Sequence, residues 1–218
     1  MVSYSTILFD FDGTLTNSLD LWVQAFHRAF AKFGLSFPED LVIRRCFYRP
    51  FEEVTKEFGV PYQEFKMHFQ EGIWESFANP SLFPGVKNIL EDASRAGTRV
   101  GLVTSSSRNI VERALQSMAI DSYFSAIVTA DDIINFKPHP EPVLLALRLT
   151  GSQPAEAIFV GDSTADILAG HAAGTDTALF YPPVHHKFYE LEALTATQPH
   201  FVFGDYAELS AHLFGHPN

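Results

Sequence analysis

Two aspartates two residues apart, Asp10 and Asp12, follow the apolar run Ile7-Leu8-Phe9 and lead into Gly13-Thr14. In extended backbone alternate side chains share a side, so this spacing aims both carboxylates one way and Phe11 the other, while Gly13 frees the turn that follows. Two acids held that close need a cation or a proton between them. Three later stretches also place reactive side chains after apolar runs. These are Thr104-Ser105-Ser106 beyond Val103, Lys137-Pro138 beyond Phe136, and Asp162-Ser163-Thr164-Ala165-Asp166 beyond Val160-Gly161. Asp162 and Asp166 stand four apart across a tight strand-to-helix turn, so both can face one crevice from a helix start. Carboxylate oxygens at this density suit Mg²⁺, which takes one or two carboxylates, keeps several waters and accepts a phosphate oxygen. Taken singly, Ser105, Ser106 and Ser163 would be accounted for by helix capping.

The elements that must carry these residues are legible in the hydrophobic pattern. Strand-length apolar runs recur at residues 5–9, 99–103, 126–129, 157–160, 177–180 and 200–203. Between them lie stretches with helical spacing, such as Val86, Ile89, Leu90, Ala93 and Ile110, Val111, Ala114, Leu115, Met118. This alternation predicts an α/β fold, a Rossmann-like parallel sheet with helices on both faces. In such sheets ligands bind beyond the carboxyl ends of the strands, where Asp10, Thr104 and Asp162 all fall. Residues 18–80 break the alternation. Leu21, Ala25, Phe26, Ala29, Phe30 and Phe33 recur at helical spacing before Gly34, and further helical stretches run from Glu39 and Phe51. The segment reads as an inserted all-helical module with its aromatic stripe as core, returning through a turn-rich connection at 79–85 suited to a hinge. The α/β domain is then 1–17 with 81–218.

Composition narrows the partners. At 218 residues and 46% hydrophobic content the chain can bury one sizeable core and a smaller module. A formal net charge of −11 argues against nucleic acid, whose binders concentrate Lys and Arg on one face, and leaves a small, metal-neutralised anion as the partner. The lone Cys46 excludes an internal disulfide framework, and no charged-then-apolar leader opens the sequence, so the cytoplasm is the expected compartment. No stretch approaches the ~18 consecutive apolar residues of a membrane span. The expected assembly is a monomer or homodimer. The histidines, among them His139, His185 and His186, show no paired helical spacing of the zinc-protease type and read as surface residues.

The sequence Asp10-Phe11-Asp12-Gly13-Thr14 resembles the DxDGT motif of the haloacid dehalogenase-like hydrolases, and Thr104, Lys137 and Asp162 follow in the order of that superfamily's remaining motifs. The resemblance spans nearly the whole chain and is closest to the phosphoglycolate phosphatase group, through the helical insertion, the KPxP form at Lys137 and the GDSxxD form at Asp162. It implies a helical cap over residues 18–80 and an assignment of roles. Asp10 is the nucleophile that forms an aspartyl-phosphate. Asp12 is the general acid and then base. Thr104 and Lys137 are catalytic alongside these acids and, with Ser105 and Ser106, bind the phosphoryl group. Mg²⁺ is held by Asp10, Asp162 and the Asp12 main-chain carbonyl, with Ser163 and Asp166 behind them. Asp12 also separates the chain from dehalogenases, which lack this acid.

The expected activity is hydrolysis of a small phosphorylated metabolite. In the cap, where relatives carry a glycine-containing substrate loop, this chain has bulky and basic residues, of which Tyr48 and Arg49 are candidates to contact the leaving group. A sugar phosphomutase of the beta-phosphoglucomutase type and an inorganic pyrophosphatase remain as alternatives with the same chemistry. A non-catalytic module binding a phospho-ligand or a protein is the alternative from another class.

Overall fold

The computed structural model describes residues 4–47, 49–77 and 80–215. Six strands, β1 (Thr6–Phe9), β2 (Arg99–Val103), β3 (Ala126–Val128), β4 (Ala157–Gly161), β5 (Asp176–Phe180) and β6 (Phe201–Phe203), form one sheet in the order β3-β2-β1-β4-β5-β6. Every neighbouring pair is parallel. Helices α5 (Val86–Ala96), α6 (Arg108–Met118), α7 (Glu141–Thr150), α8 (Thr164–Ala173) and α9 (Leu191–Thr195) lie between strands, and α10 (Tyr206–Phe214) follows β6. The sheet is central because its strands are apolar on both sides. Leu8, Val103, Val128 and Phe159 pack with Val143, Ala146 and Leu147 of α7 and Ala169 and Ala173 of α8. Ile7 and Phe9, one residue either side of Leu8, point to the opposite face and are equally buried. Gly101 and Gly170 permit this closeness: a Cβ at Gly101 would stand 2.6 Å from Leu8 Cδ2, and one at Gly170 would stand 2.5 Å from Thr177 Cγ2.

The chain divides into two compact units, Met1–Asn17 with Ser81–Asn218, and Ser18–Pro80. Where the first unit's chain breaks off and resumes, its two segments clasp each other. Asn17 N–H donates to Ser81 O (2.9 Å) and Phe83 N–H to Leu15 O (3.0 Å). Asn79, the first residue of the expected hinge, lies outside the described residues.

The second unit contains α1 (Leu19–Ala31), α2 (Glu39–Cys46), α3 (Phe51–Phe58) and α4 (Tyr62–Ser76). Its core is the aromatic stripe: Phe26 meets Phe69 with ring centroids 4.5 Å apart, and Phe30 meets Phe65 at 4.8 Å and Phe58 at 4.9 Å. Such pairs contribute about 0.5–1.5 kcal/mol each beyond the area they bury. Gly72 lets α4 approach α1, since a Cβ there would already stand 3.4 Å from Ala25 Cα.

Among the described residues no helix is long and apolar enough to cross a membrane. His139 and His186 are exposed, but His185 is not. It is 1% exposed, with its ring against Phe83, Phe180 and Tyr189. The reading of His185 as a surface residue is therefore corrected. The stretch Pro183–Lys187, entered through Pro182, folds into a 3₁₀ turn just after β5, and that turn directs one of its two adjacent histidines inward.

Candidate active site

In a sheet of this order the chain runs outward from β1 through β2 to β3, then returns to β4 on the other side of β1. A crevice opens at that reversal, beyond the strand ends. Register decides what fills it. Phe9 pairs with Val160 of β4 and Leu102 of β2, so Asp10 lies level with Gly161 and Val103, with Asp162 and Thr104 one step further along. The Asp10 N–H continues the ladder to Val160 O (2.8 Å).

Lys137 is the hub. Its ammonium donates to Asp10 Oδ1 and Asp166 Oδ1, both at 2.6 Å, and to Val103 O at 3.3 Å, with the side chain 7% exposed. Asp166 is fully engaged. Its other oxygen, Oδ2, accepts from Ser163 N–H (3.0 Å) and Ser163 Oγ (2.6 Å), while Ser163 Oγ accepts from Asp166 N–H (3.3 Å). This reciprocal capping box starts α8, so the capping role of Ser163 and its place in the site are one structure. Gly161 is required there because Asp166 folds back over it: a Cβ would stand 2.7 Å from Asp166 Oδ2 and nearer still to Cβ and Cγ.

Asp10 and Asp162 are less well served. Asp10 Oδ2 and Asp162 Oδ1 share one donor, Thr14 Oγ1, at 3.4 and 3.2 Å, and a hydroxyl has a single proton to give. The second oxygen of Asp162 accepts from Tyr189 OH at 2.7 Å. Burial pushes the Asp10 carboxyl up to about 7, with Asp166 and Asp12 adding to the rise and Lys137 opposing it. Asp162 is held well above the ordinary carboxylate range, first by burial and then by the charges of Asp166 and Asp10. Burial works against the Lys137 ammonium, yet Asp10 and Asp166 outweigh it and raise its pKa. Among the described residues the Lys137 ammonium thus reaches two, Asp10 and Asp166, of three buried carboxylates that offer ligand atoms within 4.8 Å of one another. A hard divalent cation fits the oxygen-only, donor-poor pair Asp10 and Asp162.

Asp12 stands apart from that triple. Its carboxylate is half-buried and accepts from Ser106 Oγ at 2.6 Å. The turn Phe11–Leu15 carries it, because β1 ends at Phe9 rather than continuing through both aspartates. Thr104, 1% exposed, accepts the Ser106 N–H at its hydroxyl (3.0 Å). Ser105 is exposed at the lip of the same loop. The first amide of α6, that of Arg108, donates to Asp131 Oδ2 (2.7 Å).

Of the residues singled out by sequence, Asp10, Asp12, Thr104, Ser106, Lys137, Asp162, Ser163 and Asp166 are thus joined by hydrogen bonds or by adjacent strand ends. Arg49 is engaged within the helical unit, pairing with Glu57 (2.6 Å) and Glu53 (3.4 Å) and donating to Arg45 O (2.8 Å). Tyr48 lies outside the described residues. Sequence reasoning missed Tyr189 as a partner of Asp162 and Tyr206, whose hydroxyl donates to Thr14 O at 2.8 Å. Neither sits in a recognisable motif.

A family model described as haloacid dehalogenase-like hydrolase matches residues 7–180. The chain is 32% identical over 213 residues to Pyrophosphatase PpaX of Bacillus cereus (strain B4264), covering 94% of each chain. It is 27% identical to a crystal structure from Haemophilus somnus 129pt described as a predicted phosphoglycolate phosphatase, with a TM-score of 0.83 over 96% of this chain and 97% of that one. CbbY from Rhodobacter sphaeroides, solved with xylulose-(1,5)bisphosphate, shares the fold at 23% identity, with a TM-score of 0.80 over 94% and 96% of the two chains. A match running from β1 to the end of β5, and relatives alike over nearly the full length of both chains, lead to one assignment: this chain belongs to the haloacid dehalogenase-like hydrolase family and is one of its phosphatases.

Proposed function

We propose that the protein is a Mg²⁺-dependent phosphatase that hydrolyses a small phosphorylated metabolite through an aspartyl-phosphate on Asp10. The observation that carries this reading is the divided donor supply: Lys137 compensates Asp10 and Asp166, while among the described residues the facing oxygens of Asp10 and Asp162 share the single Thr14 hydroxyl. Mg²⁺ held by Asp10, Asp162 and the Asp12 main-chain carbonyl would neutralise the remaining carboxylate charge and draw in the substrate phosphate.

In the first half-reaction a carboxylate oxygen of Asp10 attacks phosphorus as the bond to the leaving oxygen breaks, and Asp12 gives that oxygen a proton. In the second, Asp12 takes a proton from water as the water oxygen attacks phosphorus, and orthophosphate departs from Asp10. Lys137 counters charge on Asp10 and on the transferred group, and the hydrogen bond from Ser106 fixes the orientation of the Asp12 carboxylate. Thr104, Ser105 and Ser106 form the loop offered to the phosphoryl oxygens. Residues 18–80 are proposed as the cap, with Arg49 as its anion-recognising side chain.

An aryl phosphate assay tests the chemistry. Mg²⁺ should support turnover, EDTA should remove it, and Asp10→Asn should reduce kcat below detection. Turnover that survives Asp10→Asn defeats the covalent route. The likeness to proteins named Pyrophosphatase PpaX favours a second reading for the substrate, inorganic pyrophosphate, for which two orthophosphates would appear per molecule consumed.

A further inference from the structure

The family match ends at residue 180, yet the segment beyond it reaches into the site. After β5 the chain makes the 3₁₀ turn Pro183–Lys187 and then presents Tyr189, whose hydroxyl donates to Asp162 Oδ2 at 2.7 Å across 27 residues of sequence. The tyrosine is held on several sides. Its N–H donates to His185 O (3.1 Å), its carbonyl accepts from Tyr181 OH (3.1 Å), and its ring meets the buried His185 ring edge-on at 5.7 Å.

This anchoring makes the Tyr189 hydroxyl a fixed donor, and a fixed donor on one oxygen of a carboxylate sets the direction of the other. With Oδ2 tied to Tyr189, Asp162 turns Oδ1 toward Thr14 and Asp10 Oδ2, the donor-poor pair already described. We infer that Tyr189 is a positioning residue, whose hydroxyl holds Asp162 so that one carboxylate oxygen is aimed at a divalent cation. The inference rests on the reading of Asp10 and Asp162 as metal ligands. Its physical basis is general: groups that hydrogen-bond to a ligating carboxylate fix its orientation before the metal arrives, and losing one costs about 10- to 100-fold in metal affinity.

The test is a calorimetric titration of Mn²⁺ into EDTA-stripped, full-length protein without substrate, comparing wild type, Tyr189→Phe and Asp162→Asn. Tyr189→Phe keeps the ring against His185 and removes only the donor. The expected result is a dissociation constant raised about 10- to 100-fold in Tyr189→Phe, and binding lost in Asp162→Asn. With Mg²⁺ and aryl phosphate, the Mg²⁺ activation constant should rise by a similar factor, while the substrate KM at saturating Mg²⁺ stays within about twofold and kcat recovers as Mg²⁺ is raised. A purely structural tyrosine would not separate these constants. Mn²⁺ affinity in Tyr189→Phe within about twofold of wild type, with Asp162→Asn still deficient, overturns the role of Tyr189 and leaves the metal site standing. Wild-type protein that binds no Mn²⁺, or Asp162→Asn that binds like wild type, overturns the metal reading and this inference with it.

Discussion

Replacing Lys137 by Met removes the ammonium that links Asp10 to Asp166 and keeps most of the aliphatic stem. The ammonium makes two charge-assisted hydrogen bonds at 2.6 Å from a side chain that is 7% exposed. Hydrogen bonds to charged groups contribute about 1.5–3 kcal/mol each, and removing one partner of a buried ion pair costs about 3–5 kcal/mol because the surviving charge is left without compensation. The expected destabilisation is therefore about 4 kcal/mol. For a chain of this size each kcal/mol moves a melting transition by about 2–4 °C, so the α/β unit should melt roughly 8–16 °C lower. Melting should be recorded in EDTA, because a divalent cation drawn to the unpaired carboxylates would mask part of the loss. The double variant Lys137→Met/Asp166→Asn removes one charge of each sign and should recover at least about 1 kcal/mol relative to Lys137→Met, a coupling expected only of groups in contact. A shift below about 2 °C in EDTA, together with no coupling in the double variant, would refute the claim that Lys137 is the electrostatic keystone of the site.

Other consequences are independent of that one. Gly161→Ala drives a methyl group into Asp166, so it should cost about 3 kcal/mol or more and impair phosphatase activity, whereas Gly97→Ala, which meets nothing within 4 Å, should suffer only the strain of its positive φ of 71°. Comparing the two melting temperatures tests the contact. Burial lowers the His185 pKa from 6.5 to about 4, so the unfolded chain takes up this proton first. The stability that the neutral imidazole provides is complete above pH 6.5 and declines as pH falls toward 4, by roughly 3 kcal/mol in all. Urea titrations at pH 7 and pH 4.5 should show a smaller pH dependence in His185→Phe than in wild type; equal slopes would contradict the buried, neutral assignment. Asp10→Asn should abolish turnover while removing one buried negative charge, so in EDTA it should melt no lower than wild type. A large loss of stability would argue that Asp10 is mainly structural.

The strands were legible because their signal is local. An apolar run of strand length needs no knowledge of its neighbours, and each of the six runs is a strand of one parallel sheet. The aromatic stripe of α1 was legible for a similar reason, since helical spacing alone puts Phe26 and Phe30 on one face. The position of Asp12 was less so. Alternation carried through residues 10–12 assumes continued extended backbone, but the chain turns once β1 ends at Phe9.

What the sequence supplied by itself was the set of candidate groups, because DxDGT, the hydroxyl loop, the lysine and the second acid each announce themselves by residue type and by place after a strand. Tertiary structure alone decided how the charges and hydrogen bonds are shared among them. Lys137 divides itself between Asp10 and Asp166, and Thr14 offers one proton to two carboxylates. It also recruited Tyr189 and buried His185 behind it. No pattern could have marked that tyrosine. Its role comes from a hydrogen bond spanning 27 residues, and such a bond exists only once the loop after β5 has folded back across the strand ends.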